Sequence, residues 1–457
     1  MQGTTKKYRD LNYDFNSYRP HYIKNIRIAL PIMLSQLGNA IVMFTDNIMV
    51  GRVGDGTNEL AAVSFGNALF IVGFVLVQGV GFGATPLIGE YYSAGKHRKA
   101  TELFANSIIV NIAAFLVFGF LMWQVHHLMP YMGQDEAVWK LATPYYLALV
   151  VSLFPYTIFL AFKQYLEGLG NTRYAMNITL MCCFVNVLFN FLLIFGKCGF
   201  PELGVFGAGV STLIARTLMP ILYIALFRYK NSLWRHLYFV KRKSLSWDKM
   251  KKLGKVGLPI GGQMSVECLA FSISAVMAGW FGAVALASHE IAMSMSSLTF
   301  MVVTGISSAT TVCVAHQKGL NSKLGIRKAG NAAIQMGIFY SLACASTMIL
   351  TSTLVPRLFS ENQQVLALSA TLLIFAAVYQ IPDGMQAITI GALRGIADVK
   401  TPMWSCIIGY MFVNLPVSYL ISVKLGVGIT GIWMGFIIGL ATVSAIAVVR
   451  WFMKSKI

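Results

Sequence analysis

Long apolar runs separated by short polar segments make up most of this chain. Twelve of the runs are long enough to cross a bilayer, which takes about 20 apolar residues in a helix. They lie at residues 27–50, 60–88, 105–127, 141–162, 174–196, 205–228, 256–281, 285–315, 330–355, 365–391, 402–423 and 427–450. Because lipid cannot hydrogen-bond an open backbone, each run is predicted to be a helix. The pattern therefore predicts an all-α membrane protein with twelve transmembrane helices.

The composition agrees with membrane insertion, and the positions of the charged residues explain the high net charge. Of the 457 residues, 56% are hydrophobic and 12% are charged, whereas about 25% are charged in soluble domains. The net charge of +19 would suit a nucleic acid partner if it formed one patch. Instead, with the N-terminus inside, 30 of the 36 lysines and arginines fall on cytoplasmic segments, which follows the positive-inside rule. We therefore expect a multi-pass protein of the plasma membrane (the inner membrane of a bacterium), with both termini cytoplasmic and no nucleic acid partner.

The two halves of the chain resemble each other. ALPIMLSQ at 29–36 matches GLPIGGQM at 257–264, and two further blocks match in the same order. The three blocks align Pro31 with Pro259, Gly79 with Gly305 and Pro155 with Pro382. Six helices in each half give both halves the same orientation, so the repeat is parallel and substrate sites are expected where the halves meet. The predicted organisation is a cytoplasmic segment 1–26, a first lobe 27–228 with helices one to six, a basic cytoplasmic linker 229–255, a second lobe 256–450 with helices seven to twelve, and a cytoplasmic tail 451–457.

Two carboxylates lie deep inside apolar runs of the second lobe. Glu267 and Asp383 are each roughly 15 Å from the cytoplasmic end of their span at 1.5 Å per residue. A charge at that depth costs about 2.5–3.5 kcal/mol, and two neighbouring carboxylates do not both ionise cheaply. Such a pair could hold a proton, a hard cation such as Na⁺ or an organic cation, and exchange among these is antiport. In the alternative, each acid is neutral and hydrogen-bonded for structure. The repeat aligns Glu267 with Asn39 and Asp383 with Tyr156, so the first lobe lacks acids at these positions.

The first lobe has a different polar set. Asp46 lies near the outer end of span one, and Asn186, Asn190 and Thr212 supply neutral oxygens for a second cation site. In the alternative, the asparagines only join helices by hydrogen bonds. Arg216 lies about 12 residues into span six, too deep to reach the interface easily. We expect it to pair with Asp46 or with a carbonyl group, either in a working site or as a structural lock of the first lobe.

Four further residues complete the predicted set. Glu290, near the outer start of span eight, is expected to be a supporting polar group at the interface. Pro31, Pro259 and Pro382 lie inside spans, where proline removes a backbone hydrogen bond and bends a helix. Pro382 directly precedes Asp383, so bending there would move that carboxylate.

The motifs of several enzyme classes are missing from the chain. It contains no Walker A sequence, no G-x-S-x-G and no H-E-x-x-H, so we predict neither an enzyme nor a cofactor. Two other functions compete with ion-coupled transport. A flippase for lipids or lipid-linked glycans would need a cationic cleft, which Arg216 favours and the second-lobe acids oppose. An ion channel or sensor would have little use for an internal repeat with bent helices.

From about residue 25 to 450 the chain resembles the multidrug and toxic compound extrusion (MATE) family, most closely its NorM branch. The pieces that carry the resemblance are LPIMLSQL…TDNIMVGR, GATPLIGEYYSAG, QYLEGLGNTRYAMN, GLPIGGQMSVECLAF, ALASHEIAMSMSSLTFM and YQIPDGMQAITIGALRG. The resemblance implies two six-helix lobes, a cleft that opens alternately to each side, and export of organic cations driven by Na⁺ or H⁺. It places the family's second-lobe cation-site acids on Glu267 and Asp383, and its first-span aspartate on Asp46.

The chain departs from the family pattern in three places. Ser288, His289 and Glu290 stand where the family usually has AHQ. Arg216 is not part of the pattern, and Phe300 stands near a position where some relatives use tyrosine. We expect a monomer that exports amphipathic, mostly cationic compounds against inward flow of Na⁺ or H⁺, with Na⁺ held by Glu267 and Asp383.

Overall fold

The computed structural model describes residues 15–53, 57–230 and 245–456. Within these ranges it contains twelve helices long and apolar enough to cross a membrane, and no strand. They are α1 (Phe15–Val50), α2 (Thr57–Ser93), α3 (His97–Val125), α4 (Glu136–Gly168), α5 (Thr172–Ile194), α6 (Gly204–Tyr229), α7 (Trp247–Gly279), α8 (Ala283–Gly319), α9 (Lys323–Leu350), α10 (Gln363–Gly395), α11 (Lys400–Lys424) and α12 (Ile429–Ser455). The predicted all-α fold with twelve membrane helices is confirmed.

Several helices extend beyond the apolar runs from which they were predicted, and the longest extensions at a single end are those of α1 and α7. Helix α1 already includes residues 15–26, and α7 begins inside the segment predicted as the linker. The polar extension of α1 is held by the second lobe, because buried Asn25 donates to Thr310 Oγ1 at 3.1 Å and Lys24 Nζ lies 3.2 Å from His316 Nδ1. Residues 1–14 of the predicted N-terminal segment and 231–244 of the predicted linker lie outside the described ranges.

Each lobe has its own buried apolar core, and the first helix of each lobe crosses into the other. The first-lobe core includes Leu253, Val256 and Ile260 from the start of α7. The second-lobe core includes Ile28 and Ala29 from the first half of α1. Accordingly, α1 packs against α8 while α7 packs against α2. This reciprocal exchange joins the lobes.

Equivalent positions of the repeat make equivalent contacts. Thr85 Oγ1 donates to Gln164 Oε1 between α2 and α4. In the second lobe, Thr311 Oγ1 donates to the carbonyl oxygen of Gly391 at 2.8 Å between α8 and α10. The alignment that pairs Thr85 with Thr311 also pairs Gln164 with Gly391. The internal repeat in the sequence therefore corresponds to helix–helix contacts that recur in both lobes.

The lobes meet closely at the end of the bundle where the described chain starts and finishes, which we call the basic end. A β-carbon placed on Gly79 of α2 would lie 2.3 Å from the Cα of Gly261 of α7, so these backbones touch. At the same end, Lys318 Nζ of α8 lies 2.8 Å from Glu90 Oε2 of α2. These contacts close the basic end between the lobes.

Candidate ion and substrate site

The structure brings Glu267 of α7 and Asp383 of α10 together inside the second lobe. The two carboxylates are close enough to repel each other electrostatically. Asp383 is only 1% exposed, and its Oδ2 atom has no hydrogen-bond partner among the described residues. A buried polar atom without a partner costs about 1–3 kcal/mol, and more when it is charged. This oxygen is therefore suited to a proton or a cation.

Glu267 is held by two polar side chains that the sequence did not single out. Tyr410 Oη donates to Glu267 Oε1 at 3.1 Å, and Gln386 Nε2 lies 3.5 Å from the same oxygen. Gln386 Nε2 also donates to Tyr410 Oη at 3.0 Å. Tyr410 lies in a π-helical stretch of α11, Ile407–Asn414, and such interruptions are frequent at functional sites. The arrangement fixes one carboxylate while the other keeps a free oxygen.

An arginine lies on the basic-end side of the acid pair. Arg394 belongs to the last turn of α10, whereas the sequence placed it outside span ten. Its Nη2 atom donates to Gln263 Oε1 at 3.0 Å, one helical turn before Glu267 on α7. The guanidinium group interacts electrostatically with Glu267. The acid pair therefore has a partial counter-charge at its inner edge.

Aromatic side chains cover the opposite side of the acid pair. Phe271 lies one turn beyond Glu267 on α7, and its ring centroid is 5.9 Å from that of Tyr410 and 5.2 Å from that of Phe436. Buried His289 packs against Trp433 at 5.7 Å. Aromatic faces attract cations, so this cover is compatible with a bound organic cation as well as with exclusion of water.

A chain of hydrogen bonds links the predicted first-lobe residues. Asn190 Nδ2 donates to Asp46 Oδ1 and to Asn186 Oδ1, the latter at 3.2 Å. Asn186 Nδ2 donates to Thr212 Oγ1 at 3.4 Å, and Ser211 Oγ donates to Asn190 Oδ1. The chain joins α1, α5 and α6 and leaves the aspartate in contact with neutral groups.

Among the described residues, Arg216 pairs directly with neither Asp46 nor a carbonyl group, contrary to our expectation. Its Nη1 atom donates to Ser152 Oγ at 2.8 Å. The guanidinium carbon lies over the rings of Phe70, Phe74 and Tyr156 at 5.3, 5.1 and 5.3 Å from their centroids. Asp46 acts on Arg216 only as a more distant charge. Stacking on three rings explains how this deep cation is accommodated.

The remaining predicted residues lie apart from the acid pair or along its helices. Glu290 is exposed on α8, and within the described ranges no hydrogen bond or ion pair connects it to either acid. Pro31, Pro259 and Pro382 lie inside α1, α7 and α10, which stay helical through them.

Sequence reasoning missed four residues of the second-lobe site. Gln263 and Gln386 were detectable, because each lies three or four positions from an acid on the same helix, where side chains share a face. Arg394 was misplaced because the apolar run ends before it. Nothing in the sequence distinguishes Tyr410 from the other tyrosines, since only the packing of α11 brings it to Glu267.

Comparison with known proteins matches most of the chain to one group of transporters. The MatE family model matches residues 31–192 and 259–420, one segment in each lobe. A probable multidrug resistance protein NorM from Mesorhizobium japonicum is 30% identical over 453 residues, which cover 97% of this chain and 96% of that protein.

Two solved structures share the fold. A eukaryotic MATE transporter superimposes with a TM-score of 0.87 at 16% identity, over 96% of this chain and 98% of that one. A multidrug resistance MATE family transporter in an outward-facing conformation gives a TM-score of 0.86 at 20% identity, over 95% and 96%. The two-lobed arrangement is therefore the fold of these transporters. The chain belongs to the MATE family of multidrug efflux transporters, in its NorM-like branch, and is a transporter rather than an enzyme.

Proposed function

We propose that this protein exports organic, mostly cationic amphipathic compounds by antiport with Na⁺, with H⁺ as the second candidate ion. The observation that carries the proposal is the unpartnered oxygen of buried Asp383 beside the tethered carboxylate of Glu267. Such a pair is stable only when a proton or a cation compensates it. The coupling ion and a cationic cargo then compete to neutralise the same two carboxylates. Antiport requires such competition.

The geometry favours Na⁺ through its oxygen atoms. Asp383, Glu267, Tyr410 and Gln386 together offer carboxylate, hydroxyl and amide oxygens, the ligands that hard cations prefer. A proton would need only the one free carboxylate oxygen, so a single acid would suffice for it. The presence of two acids and several neutral oxygens therefore supports a metal cation.

Alternating access lets the site exchange ion and cargo between the two sides of the membrane, and the ion gradient sets the direction. We assign the basic end to the cytoplasm, because lysines and arginines are concentrated there. The state described is closed at that end by the contact of Gly79 with Gly261 and by the Lys318–Glu90 pair. In the cycle, an external ion occupies the acid pair and displaces cargo outward, and opening of the basic end releases the ion and admits new cargo. Bending of α1, α7 and α10 at Pro31, Pro259 and Pro382 would accompany the change.

The test uses the purified full chain in proteoliposomes loaded with ethidium, with Na⁺ and pH gradients imposed separately. Ethidium movement should follow the Na⁺ gradient, and Glu267→Gln and Asp383→Asn should each abolish it. Glu136→Gln is the matched control, because Glu136 is an exposed acid that pairs with Lys140 at the start of α4. Wild-type transport in both acid variants would refute the assignment.

The same vesicles separate the other candidates. Transport that follows only the pH gradient would assign H⁺ as the coupling ion. Movement of a fluorescent phospholipid between leaflets, without ethidium transport under any gradient, would replace the exporter by a lipid flippase.

A further inference from the structure

Arg216 is a cation in the middle of α6 that ion-coupled export of cations does not use. It projects from α6 toward α2 and α4, where Phe70, Phe74 and Tyr156 surround its guanidinium group. A planar guanidinium stacks on rings by its faces and donates hydrogen bonds from its edge. Ring carbons are not strong hydrogen-bond acceptors, so these contacts do not use up the N–H donors of Arg216.

Most N–H donors along the edge of this guanidinium group have no hydrogen-bond acceptor among the described residues. Arginine has five N–H donors, and within the described ranges Arg216 makes one hydrogen bond, to Ser152 Oγ at 2.8 Å. The residue is partly exposed, and none of its nitrogens is both buried and unpartnered. The remaining donors therefore face accessible space. Among the described residues, no carboxylate lies within ion-pair distance of Arg216. The nearest candidate from the sequence, Asp46, accepts a hydrogen bond from Asn190 instead.

The repeat places this arginine beside the position that is equivalent to Asp383. Tyr156, over which Arg216 lies, is equivalent to Asp383, and Ser152 is equivalent to Tyr379. The position that carries Asp383 in the second lobe is thus a tyrosine in the first lobe, and the cation of Arg216 lies over its ring. The two lobes therefore carry opposite charges at or beside equivalent positions of the repeat.

We propose that Arg216 is a specificity-determining residue that binds a carboxylate of the transported compound. A carboxylate of the cargo would then accept hydrogen bonds from the free edge of Arg216, while the second-lobe acids are compensated by its positive charge. Arg–carboxylate pairs are commonly bidentate, which makes the donor edge selective for a planar anion. This inference rests on the proposed function and names the residue that selects among its substrates.

The experiment compares two probes that differ only at one carboxyl group: a fluorescent aromatic amine bearing a carboxylate, and its uncharged methyl ester. Equilibrium binding of each to the purified full-length protein is measured by fluorescence polarisation, and transport of each is measured in proteoliposomes. The wild-type protein should bind the acid at least about tenfold more tightly than the ester, the factor expected of a charged hydrogen bond. Arg216→Gln should remove this preference while binding the ester as before.

Two further variants make the comparison sharper. Arg216→Lys keeps the charge without the planar fork and should give an intermediate ratio of acid to ester. Lys197→Gln removes an exposed first-lobe cation at the far end of the bundle and should leave the ratio unchanged.

Several outcomes would overturn the inference. One is that the ratio of acid affinity to ester affinity is the same in the wild-type protein and in Arg216→Gln. Another is that the wild-type protein binds the ester more tightly than the acid, a result that can be obtained even if the variant does not fold. Binding is measured without a gradient, so failure of ion-coupled transport remains distinguishable from failure of carboxylate recognition. Normal binding ratios with no transport would contradict the proposed function alone.

Discussion

Tyr410 donates a hydrogen bond of 3.1 Å to Glu267 across 143 positions of sequence. The tyrosine comes from a π-helical stretch of α11 and the acid from the middle of α7. Gln386 contacts the same two groups, so the hydroxyl helps to fix the carboxylate, and under the proposed function its oxygen would also face the bound ion. The strength of ion binding should depend on it.

Replacing this tyrosine by phenylalanine should weaken ion coupling without removing the site. Tyr410→Phe deletes one hydrogen bond to a charged group, worth about 1.5–3 kcal/mol, so the Na⁺ concentration for half-maximal efflux should rise about tenfold or more. Na⁺-dependent ethidium transport in proteoliposomes measures the change. Tyr419→Phe, at an exposed tyrosine of the same helix, is the control. Identical Na⁺ dependence in the two variants would show that the Tyr410 hydroxyl has no part in ion binding.

A methyl group between the lobes at the basic end should destabilise the described state. In Gly79→Ala the new β-carbon would lie 2.3 Å from Gly261 Cα, and backbone cannot rotate away as a side chain can. Overpacking of this kind costs about 1–3 kcal/mol, so the apparent melting temperature in detergent should fall. Gly262→Ala is a matched control, since its β-carbon would meet its nearest neighbour, Met403 Sδ, at 3.6 Å. Equal melting temperatures for the two variants would contradict the close contact.

The Lys318–Glu90 pair should hold the basic end shut, though weakly. Both side chains are partly exposed, with relative side-chain exposures of 31% and 26%, so the pair contributes about 0–1 kcal/mol. Glu90→Lys and Lys318→Glu should each change the ethidium efflux rate by up to about fivefold, and the double exchange should restore it. Glu136→Gln, which breaks the exposed Lys140 pair within one helix, should have no effect. Additive losses in the double exchange would exclude a functional contact between the two side chains.

Membrane orientation can be read from one native cysteine. Cys198 is exposed in the loop between α5 and α6, at the end of the bundle opposite the basic end. If the basic end faces the cytoplasm, a membrane-impermeant maleimide added to intact cells should label Cys198, and Cys198→Ser should abolish that signal. The other six cysteines are buried or only partly exposed, which keeps the background low. Labelling that appears only after the membrane is broken would reverse the orientation.

The sequence alone determined the membrane class, the number of helices, the repeat and the two second-lobe acids. These follow from properties that are local in the chain: an apolar run must be a helix in lipid, and a charge within it must have a function or a partner. The repeat was visible because the matched blocks keep a nearly constant spacing.

Only the tertiary structure decided which side chains complete each site. Tyr410 reaches Glu267 through the path of α11, and Arg216 is stacked on Tyr156 instead of paired with Asp46. Arg394 enters the second-lobe site because α10 continues past its apolar run. Such contacts depend on how helices from distant parts of the chain pack together. The sequence could therefore indicate where polar groups lie along each helix, but the packing of the two lobes decided which groups meet.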